Sequence, residues 1–185
     1  MRGSIQRVYR ALLHLPDTLF RKRRHVDASR RLSKMNRPHS ILVVCQGNIC
    51  RSPYLEAVLK RALPDVTVRS AGFASPGRPV PPFSLAVSAE RGIDLSKFRS
   101  RPLAPATVRD ADLVIVMDAR QARHVAAYFG VALWRIVVAG DLDPLPSAQR
   151  AIEDPWQQPI DAYVAAFDRL DRCAATLVRH LPRKR

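Results

Sequence analysis

The chain has 185 residues, enough for one α/β domain with a buried core, and its 47% hydrophobic content is that of a globular protein. Its three cysteines form no disulfide framework, which points to a reducing compartment, the cytoplasm, where a thiol is kept for chemistry. The net charge of +15 is uneven: residues 1–38 hold 11 Lys+Arg against 2 acidic residues, so most of the excess belongs to a basic N-terminal extension. Such a surface favours anionic partners, phosphoproteins or anionic lipid among them. Nucleic acid is not the expected partner, because no aromatic residues are interleaved with the charge. No apolar run approaches the roughly 18 residues of a membrane span. No secretory leader is expected either, because the apolar run at 11–15 is short and Arg21-Lys22-Arg23-Arg24 follows where a small-residue cleavage site would be.

In chain order, Ile5, Val8, Leu12, Leu15 and Leu19 recur at helical spacing and predict a short amphipathic helix over 5–20. Residues 21–39 are basic without apolar periodicity and read as a linker or disordered arm. With that helix they could hold the protein peripherally at an anionic inner-membrane surface. Ile41-Leu42-Val43-Val44 is the apolar, β-branched run of a buried parallel strand. After Gly47-Asn48, a helix is predicted to about residue 63, with Ser52 as N-cap and Pro53 at its first position.

Residues 66–68 read as a second strand, and a Pro/Gly-rich loop then leads to a helix over 83–91. Leu113-Val114-Ile115-Val116 is the third strand, Asp118 caps a helix to about residue 128, and 133–138 is the fourth strand. A proline-rich loop over 141–159 precedes a long amphipathic helix over 160–181. Strands alternating with helices predict an α/β fold in three layers, a four-stranded parallel sheet with helices on both faces. The domain is expected over 39–182, with 183–185 a basic tail. In such sheets ligands sit at the carboxyl ends of strands, where Cys45 falls.

Cys45 is followed by Arg51 six positions later. In so arginine-rich a chain the spacing alone carries little, and Cys173 and Arg179 repeat it inside a predicted helix. The context of Cys45 is what speaks: a strand ends before it, Gly47 allows tight backbone, and a helix begins beyond it. A loop of that kind turns its N–H groups inward as an anion cradle, formed by Gln46, Gly47, Asn48, Ile49, Cys50, Arg51 and Ser52. Arg51 supplies a fork matching two phosphoryl oxygens, and the positive surroundings favour a thiolate on Cys45. Ser52 can hydrogen-bond that thiolate. Transfer of a phosphoryl group from an ester then needs an acid for the leaving oxygen. Asp154-Pro155 and Asp143-Pro144 are both candidates, and Trp156 beside Asp154 would wall an aryl phosphate.

Four segments in order, Val-Cys-x-Gly-Asn-x-Cys-Arg-Ser-Pro at 44–53, Ser70-Ala71-Gly72, Gly92-Ile93-Asp94 and Ile152-Glu153-Asp154-Pro155-Trp156, resemble the low-molecular-weight protein tyrosine phosphatases. The resemblance covers about residues 40–181. It implies a hydrolase that forms a phosphocysteine on Cys45, with Arg51 as phosphate clamp and Asp154 rather than Asp143 as general acid and base. It also implies no metal or other cofactor, and a Cys45–Cys50 disulfide that protects the site. The substrate it implies is a phosphotyrosine protein, in bacteria often tied to a tyrosine kinase. Ile49, where related arginine phosphatases carry threonine, favours phosphotyrosine. Arsenate reduction lacks the relay cysteines it needs, and a non-catalytic phosphate-binding scaffold would not need nucleophile, arginine and acid together. The chain departs from the family at Phe98, where a histidine commonly supports the loop asparagine, which leaves the support of Asn48 open.

Overall fold

The computed structural model describes residues 18–183. The predicted helix over 5–20 lies almost wholly outside the described residues. Strands β1 (Ser40–Cys45), β2 (Thr67–Gly72), β3 (Leu113–Val116) and β4 (Ile136–Val138) form one parallel sheet in the order β2-β1-β3-β4. Around it lie α1 (Arg21–Lys34), α2 (Arg51–Ala62), α3 (Pro82–Ala89), α4 (Pro105–Arg109), α5 (Ala119–Phe129) and α6 (Ile160–His180). The three-layer α/β expectation holds.

Side chains alternate across a strand, so β1 divides its apolar residues between two cores. Ile41, Val43 and Cys45 face α2, α6 and α1, where Leu55, Leu59, Phe167, Leu170 and Ala28 close over them. Leu42 and Val44 face the other layer, with Val108 of α4 and Val125 of α5. Each such fully buried aliphatic side chain contributes about 1.5–3 kcal/mol. Tyr54 stacks on Phe167 at 3.9 Å and its hydroxyl donates to Asp171 at 2.8 Å, which locks α2 against α6. β1 is flanked by β2 and β3: the chain passes from β1 to β2 on one side, and from β2 it crosses β1 to reach β3 on the other. The carboxyl end of β1 is therefore the point where the connections diverge, and a crevice opens there.

Three expectations need correction. The segment read as a linker is helical over Arg21–Lys34 and packs on α6 and the turn at Ala139–Leu142. Its buried strip is only Ala28, Ser29 and Leu32, too narrow for a periodicity signal. Its arginines also hold it in place. Arg21 donates to the carbonyls of Pro144 and Leu145 (3.3 and 3.2 Å), Arg31 donates to that of Leu133 (3.3 Å), and Arg24 pairs with Asp141 at 3.4 Å. The fourth strand is confined to Ile136–Val138, because Leu133–Arg135 forms a single tight turn. Ser52 is not an N-cap: the helix begins at Arg51 after Cys50, and the Ser52 hydroxyl is used elsewhere. The short helix α4 was not anticipated, although Pro105 at its first position is an available signal. Asp118 caps α5 as expected, accepting from the Gln121 N–H at 2.8 Å.

Candidate active site

β1 delivers Cys45 to the crevice and α2 begins six residues later, so residues 46–50 form a tight loop between them. The loop is tied to the end of β2, where the Gln46 carbonyl accepts from the N–H groups of Phe73 and Ala74, both at 3.0 Å. Gly72 is required by that approach. A Cβ there would lie 2.8 Å from the Asn48 nitrogen and 2.9 Å from the Asn48 Cβ, closer than such contacts allow.

Asn48 takes a left-handed backbone (φ 49°), a conformation that asparagine tolerates better than most residues. Its buried side chain is fully engaged. Nδ2 donates to Ser52 Oγ and Ser70 Oγ, both at 2.8 Å, and Oδ1 accepts from the Arg101 N–H at 2.7 Å. Ser70 in turn donates to Glu56 at 2.5 Å, and Glu56 is held by Lys60 at 2.6 Å and by Arg101. The question left by Phe98 is thereby answered. Phe98 lies beneath the Arg101 guanidinium, 4.9 Å from its ring centroid, and the loop asparagine is supported from Ser52, Ser70 and the Arg101 backbone.

Two donors converge on the Cys45 sulfur: Ser52 Oγ at 3.0 Å and the Asn48 N–H at 3.2 Å. Arg51 is 4% exposed; its Nη1 donates to the Ile152 carbonyl at 2.8 Å and its Nη2 pairs with the Asp154 carboxylate. The segment over 152–156 is thus fastened to the start of α2. Asp154 is partly open to solvent and accepts from the Trp156 N–H at 3.3 Å.

Cys45, Ile49, Cys50, Asp154 and Trp156 share a cavity of about 230 Å³ with Arg78, which the sequence reading did not single out. Gln46 and Gly47 also line it, whereas Asn48 and Ser52 lie buried behind the loop. A larger cavity of about 780 Å³ lies between α1 and β4 beside Trp134, but no thiol or hydroxyl lines it.

Asp143, the rival acid, lies elsewhere. It is 2% exposed and clamped by Arg169 (3.0 Å) and Arg172 (2.8 Å) of α6. Burial alone would raise its carboxyl, but the hydrogen bonds from Arg172, the Leu145 N–H and Arg169 outweigh it and hold it below the ordinary carboxylate range. It is a buried anion and does not line the cavity. Cys173, the decoy, is buried in the core, and burial raises its thiol first of all. Cys45, Cys50 and Cys173 are all free thiols. Burial, followed by the negative charges of Asp154 and Cys45, pushes the Cys50 thiol up to about 12, which disfavours its thiolate. Glu56, Ser70 and Arg101 also belong to the site and went unassigned in the sequence. Ser70 alone had a signal, as part of a matched segment.

Residues 40–185 match the model of the family described as low molecular weight phosphotyrosine protein phosphatase. The chain is 37% identical over 134 residues to a probable low molecular weight protein-tyrosine-phosphatase, EpsP, of Ralstonia nicotianae, covering 72% of this chain and 89% of that one. It is 34% identical over 140 residues to the low molecular weight protein-tyrosine-phosphatase Wzb of Salmonella typhimurium, covering 74% and 89%. Among solved structures, the tyrosine phosphatase AmsI of Erwinia amylovora superposes with a TM-score of 0.72 at 33% identity, covering 79% of this chain and 95% of that one. The YwlE arginine phosphatase of Geobacillus stearothermophilus gives 0.69 at 32% identity, covering 77% and 92%.

Proposed function

Because the chain belongs to the low molecular weight phosphotyrosine protein phosphatase family, we propose that it hydrolyses phosphotyrosine in proteins through a phosphocysteine on Cys45. The Cys45 thiolate attacks phosphorus as the phosphorus–oxygen bond to the tyrosine ring breaks, and Asp154 gives its proton to the departing phenolate oxygen. Arg51, exchanging the Asp154 carboxylate for the incoming phosphoryl group, and the N–H groups of the 46–51 loop other than that of Asn48, which donates to the sulfur, hold the phosphoryl oxygens, where charge accumulates. In the second half Asp154 takes a proton from water, the water oxygen attacks phosphorus, and the sulfur leaves as a thiolate stabilised by the Ser52 hydroxyl. The observation that carries this reading is a doubly hydrogen-bonded Cys45 sulfur in one cavity with Asp154, which is itself paired to Arg51. Ile49 and Trp156, lining the same cavity, support an aryl phosphate over phosphoarginine.

The test is phosphate release from a phosphotyrosine peptide in metal-free reducing buffer. Asp154→Asn is expected to lower kcat about 10²- to 10³-fold, and to lower it less on an aryl phosphate whose phenol leaves without a proton. Equal rates for Asp154→Asn and the native chain on the peptide would remove Asp154 from the mechanism. Faster native hydrolysis of phosphoarginine than of phosphotyrosine would reassign the substrate.

The partner on this reading is a phosphotyrosine-bearing protein in the cytoplasm, a bacterial tyrosine kinase first among candidates. The outward face of α1 and the residue before its cap support peripheral contact with an anionic membrane, since Lys22, Arg23 and Arg30 accompany the exposed Val26 (60%) on α1 and Leu19 (72%) just ahead of it. Sedimentation with phosphatidylserine vesicles is expected to capture the native chain and release the triple variant Lys22→Glu/Arg23→Glu/Arg30→Glu. Equal capture of the two would sink the membrane contact.

A further inference from the structure

Residues 73–80 leave β2 and run along the mouth of the catalytic cavity. The strip is pinned by Ser100: the Arg78 N–H donates to Ser100 Oγ and the Ser100 N–H donates to the Arg78 carbonyl, both at 2.9 Å, while Ser100 Oγ donates to the Ser75 carbonyl at 3.1 Å. The Cα of Arg78 is therefore fixed, and its side chain does not depend on a wandering loop. The guanidinium lies over the Trp156 indole, 5.3 Å from the ring centroid.

Of the other arginines near the loop, Arg51 pairs with Asp154 and is the one assigned to the phosphoryl group, and Arg101 pairs with Glu56. Among the described residues, no side-chain hydrogen bond or ion pair engages Arg78. Stacking uses the face of a guanidinium and leaves its in-plane N–H groups for an acceptor. A permanently charged fork, braced by an indole, thus lines the cavity that also holds the buried Cys45 and the partly open Asp154.

We propose that Arg78 is a specificity-determining residue, which receives the carboxylate of an aspartate or glutamate neighbouring the phosphotyrosine in the substrate chain. The inference rests on the phosphotyrosine reading above. The phosphoryl group itself is held at Arg51, so the anion that Arg78 meets is a second one, carried by the flanking peptide. At a partly solvated rim such a pair is modest in strength, and acts on capture of the substrate more than on the chemical step.

The experiment compares kcat/KM for phosphotyrosine peptides in which glutamate or glutamine occupies each neighbouring position in turn. The native chain is expected to prefer glutamate at one position or more by about three- to tenfold at low salt, and less at high salt. Arg78→Gln is expected to bring that ratio to about one, Arg78→Lys to keep part of it, and Arg78→Glu to invert it. A merely structural role, such as bracing Trp156, would lower the rates on both peptides together and leave the ratio untouched; that result overturns the proposal. So does a native ratio of one at every position. Failure of the phosphotyrosine reading looks different, since no peptide of either series would then release phosphate.

Discussion

Cys45→Ser is expected to abolish turnover, with kcat lower on the order of 10⁴-fold or more, while the protein remains folded. The serine oxygen can still accept from Ser52 Oγ and the Asn48 N–H, and it fits a position that is 2% exposed in the native chain. Stability should therefore change by only about 1 kcal/mol. What is lost is ionisation, because a hydroxyl at neutral pH has no base here to deprotonate it. Acid quenching during turnover should trap a phosphoryl group on the native chain and none on the variant. Retention of activity by Cys45→Ser would transfer the chemistry to another group. Cys50 is a poor successor, with its thiol pushed up to about 12.

Arg51→Lys comes second in expected effect. The arginine fork reaches the Ile152 carbonyl and the Asp154 carboxylate at once, which a single ammonium on a shorter head cannot do. The variant keeps the charge but loses the two-pronged match to phosphoryl oxygens that gather charge in the transition state. A fall in kcat/KM of about 10²- to 10³-fold is expected, with parallel weakening of inhibition by inorganic phosphate. Native phosphate inhibition in Arg51→Lys would mean that charge alone suffices and that the planar geometry does nothing.

What could be read from the sequence was local. The run at 41–44, the turn at Gly47-Asn48 and the helix beyond them are determined by residues adjacent in the chain, so Cys45 lies at the end of a strand and Arg51 at the start of a helix, as the local pattern predicts. What could not be read depended on partners far away. Asp143 and Asp154 look alike as Asp-Pro pairs, and only α6, with Arg169 and Arg172, distinguishes the buried anion from the cavity carboxylate. Residues alone left the two open, and the family resemblance was needed to choose. The support of Asn48 comes from Ser70 on β2 and from Arg101 beyond α3, a convergence that no spacing rule encodes. Residues 21–34 were misread because a helix docked by arginines donating to carbonyls has the composition of a solvated charge run.

That last helix changes what counts as a removable part. Arg24 and His25 reach Asp141, Arg21 reaches the carbonyls of Pro144 and Leu145, and Asp141 is in turn gripped by Arg150, on the stretch that continues to Asp154. α1 is a buttress for the turn at 139–142 and for the residues that follow it, as much as an appendage. A chain trimmed to start at His39 would uncover the seam that Ala28 and Leu32 close, and would remove the contacts of Arg21, Arg24 and His25 with residues 141–145. Any shortened version meant to report on the first residues alone should therefore keep everything from Thr18 onward.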